Sequence, residues 1–331
     1  MNEPPGEVAM SSETYTVVST MKNEGPYIID WVAHYKTLGF DHIVVCTNDC
    51  TDTTVDILLR LQELGLVIQH NTIVRKAGIH RSALRQASRR YDVVMDAKWV
   101  FVCDVDEYLN VHMGDGSVQA LVEGSGADAD VISVPWRIFG PDGIETFADK
   151  PVTQQFRMGE YEWDADKRPE TGKFVKSLYT NQHKFQRMGL HAPVSLEEHI
   201  PDTRRVLPGG AEYIINGERT DTPPLFTHAQ VNHYALRSMD SFLVKRARGR
   251  ANHSHHVLGM EYWERFNLND EKDTSIDRYK TKAGKLAKEL KADPVLKDLH
   301  ARAVDWHKRK AASLRMDPDM DELVNGLKAK L

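Results

Sequence analysis

Residues 14–47 read TYTVVSTMKNEGPYIIDWVAHYKTLGFDHIVVCT, and this stretch decides the fold. Its first eight residues, 14–21, are rich in Thr, Val and Tyr, which favours a β-strand. Residues 27–39 then place apolar side chains at helical spacing and end on Gly39, which predicts a helix with a glycine stop. Residues 42–47 form a continuous apolar run, as strands of parallel sheets do. The stretch therefore predicts a strand–helix–strand unit whose strands are parallel.

Strands and helices keep alternating after this unit. The same two periodicities predict helices at 55–65 and 80–91 and strands at 66–73 and 99–106. Such alternation is typical of an α/β protein with a mostly parallel sheet flanked by helices.

The pattern changes further along the chain. A strand is predicted at 130–140, and residues 151–230 hold short β-like runs (TQQFRM, KFVKSLYT, RRVL and EYIIN) separated by Gly and Pro. The last ninety or so residues are charged and have helical periodicity. We therefore expect a disordered N-terminus (1–13), a main α/β domain (14–238) and a helical C-terminal extension (239–331).

Composition limits the class of protein. The chain has 331 residues, 41% of them hydrophobic, which is enough for a sizeable core. Its three cysteines, Cys46, Cys50 and Cys103, argue against a disulfide framework and suit a reducing compartment. The sequence shows no signal-peptide pattern and no apolar run of about 18 residues. We therefore expect a cytoplasmic protein.

Charge is distributed unevenly along the chain. The net charge is −5, yet residues 241–331 hold 20 Lys and Arg against 14 Asp and Glu. A solvated helical face is our preferred interpretation of this basic end. The alternatives are peripheral contact with the inner face of a membrane, a phosphorylated substrate, or packing of its Leu and Val stripes on the main domain or in a homo-oligomer. We expect no nucleic-acid partner.

An acidic cluster ends the predicted strand in WVFVCDVDEYLNV (99–111), where Asp104, Asp106 and Glu107 nearly adjoin. Side chains at i and i+2 of a strand point to the same face, so Asp104 and Asp106 converge if the strand persists. Mn²⁺ or Mg²⁺ would relieve their repulsion, because hard cations bind carboxylates together with substrate phosphates. An acid/base pair of carboxyls and a solvated turn are the alternatives.

Polar groups also follow the other predicted strands. Lys22-Asn23-Glu24 follows the first strand and Asn48-Asp49 the second, and the carboxyl ends of parallel strands form a common ligand site. The helix that begins near His80 and Arg81 adds an N-terminus and a cation, both favourable to phosphate. No GxxxxGK[ST] or GxGxxG motif is present, so the fingerprints of P-loop and dinucleotide-binding proteins are missing.

Three stretches together resemble GT-A fold glycosyltransferases of the family 2 and family 92-like group. They are TMKNEGPYIIDWVAHYKTLGFDHIVVCTNDCTD (20–52), WVFVCDVDEYL (99–109) and VNHYALRSMDSFLVKRARG (231–249). The resemblance implies a GT-A (nucleotide-diphospho-sugar transferase) fold over about residues 14–250. It also implies metal-dependent transfer of a sugar from a nucleotide-diphosphate donor, expected to be a UDP-sugar, with inversion. The acceptor would be a glycan, a lipid-linked acceptor or another hydroxyl, as in polysaccharide biosynthesis.

The resemblance also assigns residues. The nucleoside would be held by a set of polar residues after the first two strands: Thr20, Lys22, Asn23, Glu24, Asn48 and Asp49. Asp104 would face the ribose or sugar, and Asp106 would bind Mn²⁺ or Mg²⁺ at the diphosphate. His233 would approach the metal, although a structural histidine is the alternative. Lys245 and Arg248 share a helical face and would hold the leaving diphosphate, or would be ordinary surface charges.

The catalytic base is not decided by the sequence. An inverting transferase needs a group that deprotonates the acceptor hydroxyl. The candidates are Asp142, Glu145, Glu197, Glu198 and His191. Aromatic residues that would stack on acceptor sugars, or else belong to the core, are Trp136, Phe139, Tyr161 and Trp163.

Two other functions are compatible with these residues. A nucleotidyltransferase would use the same acidic metal site, but it usually has a glycine-rich basic loop after the first strand, and KNEGP is poor in glycine. An inactive sugar-nucleotide or glycan-binding module would not need the Asp104/Asp106 pair.

Overall fold

The computed structural model describes residues 14–161, 174–180, 184–213, 215–216, 219–220, 226–249 and 258–331. The expectation of disorder for residues 1–13 and the aromatic candidate Trp163 lie outside these ranges.

The described part of the chain is a mixed α/β structure. Its strands are β1 (Tyr15–Met21), β2 (His42–Thr47), β3 (Ile68–Asn71), β4 (Trp99–Val102), β5 (Glu107–Val111), β6 (Val131–Ile138), β7 (Met158–Gly159), β8 (Val175–Thr180), β9 (Phe185–Arg187), β10 (Val194–Ser195), β11 (Arg205–Val206), β12 (Ile215–Asn216), β13 (Arg219–Thr220), β14 (Ala229–His233) and β15 (Glu271–Lys272). Its helices are α1 (Ile28–Thr37), α2 (Thr54–Glu63), α3 (Ile79–Arg90), α4 (Asp92–Met95), α5 (Val118–Ser125), α6 (Val152–Gln155), α7 (Met239–Arg248), α8 (Met260–Phe266), α9 (Lys280–Ala292), α10 (Pro294–Arg315) and α11 (Asp321–Lys328).

A nine-stranded sheet forms the centre of the fold. Its strand order is β3-β2-β1-β4-β8-β6-β14-β5, and β11 pairs with β6. The β3-β2-β1-β4 part is parallel, as are the pairs of β6 with β14 and with β11, whereas β8 is antiparallel to both of its neighbours. The prediction of an α/β fold with a mostly parallel sheet is confirmed.

The opening strand–helix–strand unit forms for the local reasons that its sequence indicates. Pro26 lies in a single 3-10 turn that precedes α1, and proline suits this position because its φ is preset and no amide is needed. The Trp31 and Tyr35 rings, one turn apart, are fully buried. Gly39 adopts a φ of +94° after the helix, which lets the chain turn into β2.

Two predicted strands differ from the structure. The strand predicted at 99–106 ends at Val102, so Asp104 and Asp106 lie in the turn before β5 and not on a strand. The i and i+2 alternation therefore does not orient them. The run TQQFRM also differs, because its first residues belong to the short helix α6 and only Met158 begins a strand.

The C-terminal helices pack on the main domain. Helix α9 contacts α1, and α10 contacts α2 and α7, so that both segments contribute to one hydrophobic core. The boundary at residues 238/239 remains a prediction from sequence. Within the described ranges, no helix combines the length and apolarity needed to cross a bilayer.

Several exposed cations of these helices have an acidic partner one turn away. Such pairs are Lys285–Glu289, Arg302–Asp298 and Arg309–Asp305. Alternating charges of this kind are typical of a solvated helix face. They favour our first interpretation of the basic end, and contact with a membrane remains a prediction.

Candidate active site

A cavity of about 400 Å³ opens at the ends of β1, β2 and β4, and the C-terminal part of α7 contributes to its lining. Polar and charged side chains from these elements line it: Thr20, Lys22, Glu24, Asn48, His80, Asp104, Asp106, His191, His233, Lys245, Arg248 and Arg265. Most of the donor-site residues predicted from sequence thus share one cavity.

Asp104 is held by a lysine from the neighbouring antiparallel strand. The Lys176 Nζ atom lies 3.3 Å from Asp104 Oδ2 and 3.1 Å from Glu107 Oε2. Glu107 also accepts a hydrogen bond of 2.8 Å from the Asp104 backbone amide, so its carboxylate braces the turn. Lys176 and Glu107 are completely buried, whereas the Asp104 side chain is 28% exposed to the cavity.

The charges of this cluster determine its protonation. Burial would raise the pKa of Asp104, but the Lys176 ammonium lowers it below its ordinary value. Burial would lower the pKa of Lys176, but Asp104 and Glu107 raise it. Burial raises the pKa of Glu107. Asp104 is therefore an anion and Lys176 a cation at neutral pH.

Asp106 has a different lysine. The Lys245 Nζ atom of α7 lies 2.7 Å from Asp106 Oδ2, and His233 Nε2 lies 3.9 Å from the same oxygen. Burial opposes ionisation of Asp106, but Lys245 and His233 shift its pKa well below the usual range. Burial lowers the pKa of His233 to about 4, so its imidazole is neutral. Its Nδ1 atom is buried without a hydrogen-bond partner.

Glu24 connects the end of β1 to α7. One carboxylate oxygen accepts from Arg237 at 2.9 Å and the other accepts from Arg248. Arg248 also donates to the Lys22 carbonyl at 2.7 Å, and Arg237 donates to the Val105 carbonyl at 3.3 Å. Glu24 is thus an anchor for two arginines and has no carboxylate oxygen without a cation.

The remaining predicted donor residues lie in three kinds of place. Thr20 lines the cavity and its hydroxyl is 3.0 Å from His80 Nδ1, and Asn48 lines it as well. The Asn23 side chain instead binds the amide of Thr51 at 2.7 Å, which fixes the turn after β2. Asp49 and Arg81 are outside the residues that line the cavity.

Trp136, Phe174 and His191 line another part of the cavity, and the Trp136 ring also contacts His233, with centroids 4.2 Å apart. Trp136 is stacked on Phe174 with centroids 5.3 Å apart, and the His191 ring is 5.1 Å from Trp136. The His191 Nδ1 atom lies 3.0 Å from the Val175 carbonyl, so it is the protonated nitrogen. Burial lowers the pKa of His191 to about 3. Phe139 is a core residue.

The carboxylate candidates for the base lie away from this cavity. Glu197 and Glu198 are exposed on a 3-10 turn, and Asp142 is exposed in the loop after β6. Glu145 pairs with Arg315 of α10. None of these four is among the residues that line the cavity, and Tyr161 is exposed and does not line it either.

The side chains of Asp104, Asp106 and His233 are of chemical types that bind divalent cations. Asp104 and Asp106 supply carboxylate oxygens, and His233 supplies a neutral imidazole whose Nε2 atom lies near Asp106, which are ligand types that Mn²⁺ accepts. Over the described ranges, however, no three His, Cys, Asp or Glu side chains are already gathered as a metal cluster. A lysine ammonium occupies each aspartate instead.

Sequence reasoning missed Lys176, and it also missed Phe174 and Arg265, which line the cavity. Lys176 sits in KFVKSLYT, where its side chain is charged and the residues around it are mostly apolar. A lysine inside a strand of a mostly buried sheet was the available signal, because a buried cation requires an anionic partner.

Known proteins place the chain in a family. The model of glycosyltransferase family 92 matches residues 16–282. A search of curated proteins finds no match.

Solved structures show distant likeness. TarS 1-349 of S. aureus is 12% identical over 96% of this chain and 87% of its own, with a TM-score of 0.35. TarS 1-349 in complex with UDP is 12% identical over 92% of this chain and 91% of its own, with a TM-score of 0.36. Glucosyl-3-phosphoglycerate synthase from Mycobacterium tuberculosis, in complex with Mn²⁺, UDP and glucosyl-3-phosphoglycerate, is 16% identical over 65% of this chain and 78% of its own, with a TM-score of 0.35.

The family assignment rests on the match of the family model over most of the chain, and not on these distant structures. The observed sheet agrees with the GT-A fold that the sequence resemblance implies. The chain belongs to glycosyltransferase family 92 and is a glycosyltransferase.

Proposed function

We propose that this enzyme transfers a sugar from a nucleoside-diphosphate donor, a UDP-sugar, to a hydroxyl of a glycan acceptor, with Mn²⁺ or Mg²⁺ and with inversion. The observation that supports this most is that one cavity is lined both by two carboxylates, Asp104 and Asp106, and by two cations of α7, Lys245 and Arg248. Carboxylates suit a cation that bridges a diphosphate, and lysine and arginine suit the phosphates themselves.

The donor would lie along the ends of β1 and β2. Thr20, Lys22 and Asn48 face this part of the cavity and offer a hydroxyl, a cation and an amide. Such groups hydrogen-bond a base or ribose and neutralise phosphate charge. The aspartates lie next to them at the end of β4, on the side from which the sugar would meet the acceptor.

Asp106 and His233, with Asp104, would hold the metal. When bound, it would neutralise charge on the leaving diphosphate as a Lewis acid. Lys245 and Arg248 would bind the same phosphates directly, and Arg248 would be kept in place by Glu24.

The acceptor would enter on the aromatic side. The stacked Trp136 and Phe174 rings offer a surface for the apolar face of a sugar. His191 is the base candidate that lines the cavity, and its unprotonated Nε2 would accept a hydrogen bond from the acceptor hydroxyl.

A donor panel tests this function. UDP-, GDP- and CDP-sugars are incubated with Mn²⁺ and glycan acceptors, and release of the nucleoside diphosphate is measured with and without acceptor. We expect a UDP-sugar to be used. Asp106→Asn should lower turnover by at least about 100-fold, the scale of one lost transition-state contact.

Asp142→Asn is the matched control, because Asp142 is an exposed aspartate outside the cavity. Full activity of Asp106→Asn would contradict the assignment of the aspartate pair. Nucleotidyl transfer is assayed separately with UTP and a sugar 1-phosphate. Release of pyrophosphate there, without release of a nucleoside diphosphate from any donor sugar, would indicate a nucleotidyltransferase instead.

A further inference from the structure

Lys245 binds the carboxylate of Asp106, a residue proposed to hold the metal. Its ammonium is 2.7 Å from Asp106 Oδ2, and it also donates to the Ala235 carbonyl at 2.8 Å. The Tyr262 hydroxyl is 3.4 Å away. An ammonium at this distance would repel a divalent cation bound to the same carboxylate, so each of the two cations disfavours the other there.

The carboxylates around the cavity are already neutralised by protein cations. Glu24 binds Arg237 and Arg248, Asp104 binds Lys176, and Asp106 binds Lys245. A divalent cation that binds alone therefore meets a cluster whose charges are already balanced, and it has to displace the Lys245 ammonium. This displacement is unfavourable unless a new anion receives the ammonium.

A nucleoside diphosphate supplies that anion. Lys245 lines the cavity, and its side chain is 20% exposed there. Lysine has a flexible four-carbon stem, so its ammonium can turn from Asp106 to a phosphate without a change in the helix. Arg248 is less free to do so, since Glu24 and the Lys22 carbonyl bind its guanidinium.

We propose that Lys245 is an exchangeable counter-ion of Asp106. It neutralises Asp106 in the donor-free enzyme and moves to the diphosphate when the donor binds, so that the divalent cation and the nucleoside diphosphate bind cooperatively. This inference rests on the proposed function, because it assumes a diphosphate donor and a metal at Asp106.

Calorimetric titration of Mn²⁺ tests the exchange without any turnover. Mn²⁺ is titrated into the free enzyme and into enzyme saturated with UDP or with inorganic pyrophosphate. In the wild type we expect Mn²⁺ to bind at least tenfold more tightly when UDP is present. Lys245→Met should bind Mn²⁺ alone at least tenfold more tightly than the wild type, and its coupling to UDP should fall below threefold.

Lys184→Met is the matched control. Lys184 is also a partly exposed lysine, and its Nζ atom lies 2.8 Å from the buried Asp130 carboxylate, but it does not line the cavity. This variant should keep the wild-type coupling between Mn²⁺ and UDP. Circular dichroism establishes that each variant is folded, and Lys245→Gln replaces Lys245→Met if the latter does not fold.

Three results would overturn the exchange: equal Mn²⁺ affinity of wild type and Lys245 variant, absence of any effect of UDP and pyrophosphate on Mn²⁺ binding, or the same gain in Mn²⁺ affinity in Lys184→Met. Failure of the proposed function is a separate result. It would appear as the absence of sugar transfer from every donor, which leaves Mn²⁺ and pyrophosphate titrations interpretable.

Discussion

Two aspartates that are two residues apart are neutralised in different ways. Asp104 is bound by Lys176, which lies on the central strand β8, is completely buried and contacts Glu107 as well. Asp106 is bound by Lys245, which lies on helix α7 and is partly exposed in the cavity. Lys176 is thus part of the core, whereas Lys245 is placed where it can respond to a ligand.

The difference follows from the elements that supply the lysines. Strand β8 is hydrogen-bonded on both sides, and its antiparallel register with β4 pairs Leu178 with Phe101, so that Lys176 comes next to the turn after β4. No alternative position is open to an ammonium enclosed in this way. Lys245 approaches from the helix that covers the cavity, and its ammonium has solvent and substrate space beside it.

Lys176→Met should have the largest effect on stability. It leaves the Asp104 carboxylate without its cation and removes the ammonium that contacts Glu107, whose pKa burial raises, and breaking a buried ion pair in this way costs about 3–5 kcal/mol. The free energy of unfolding in urea, measured at pH 7.5 (about neutral, where Asp104 is ionised), checks this. A double variant, Lys176→Met with Glu107→Gln, should recover part of the loss. An unchanged unfolding midpoint for the single variant would show that Lys176 is not needed by the fold.

Lys245→Met should destabilise the protein less than Lys176→Met does. The unpaired Asp106 costs about 1–3 kcal/mol, as for a buried polar group that loses its partner, because water from the cavity can solvate it in part. The same urea experiment compares the two variants directly. A loss as large as that of Lys176→Met would remove the distinction between the two lysines.

Two buried histidines, His34 and His307, should make the stability of the protein depend on pH. Burial lowers the pKa of His34 to about 4 and that of His307 to about 3, while an unfolded chain has a histidine pKa of about 6.5. Between about pH 6.5 and 4 the unfolded state binds more protons, so these groups make the protein less stable as the pH falls. Unfolding free energies at pH 7.5 and 5 (about 1 unit above and about 1.5 units below the histidine pKa of the unfolded chain) should therefore differ less in His34→Gln than in the wild type. An equal pH dependence in both proteins would exclude His34 as a contributor.

An exposed pair on α10 should have the smallest effect. Asp298 and Arg302 are 3.6 Å apart, with side chains 69% and 60% exposed. Solvent screens such a pair and side-chain entropy opposes it, so Asp298→Asn should leave the unfolding midpoint unchanged within error. A clear shift of the unfolding midpoint would mean that exposed ion pairs also stabilise this protein. The losses measured for the Lys176 and Lys245 variants would then have to be compared with the loss from an exposed pair.

Many residues in the part of the cavity that we propose for the donor were predictable, because local sequence patterns indicate them. The strand–helix–strand unit, the basic helix α3 and the polar residues after β1, β2 and β4 follow from periodicity and from the rule that strand ends share a site. Family resemblance added His233, Lys245 and Arg248, and the structure brings all three to the same cavity.

The part of the cavity that we propose for the acceptor was not predictable in the same way. Glu197, Glu198 and Asp142 are acidic residues in loops, and acidity alone does not tell whether a loop reaches the cavity. Only His191 among the base candidates lines it, since its segment folds next to Trp136 of β6.

By itself the sequence determined the α/β class, the mostly parallel first half of the sheet and the presence of an acidic cluster beyond β4, because each depends on neighbours in the chain. The tertiary structure alone decided which cation meets which carboxylate. Strand β8 enters the sheet between β4 and β6, antiparallel to both, and so places Lys176 beside Asp104, 72 residues away in sequence. Helix α7 folds back over the sheet and places Lys245 beside Asp106, 139 residues away. Contacts over such separations arise from packing of whole elements, and periodicity within an element contains no information about them.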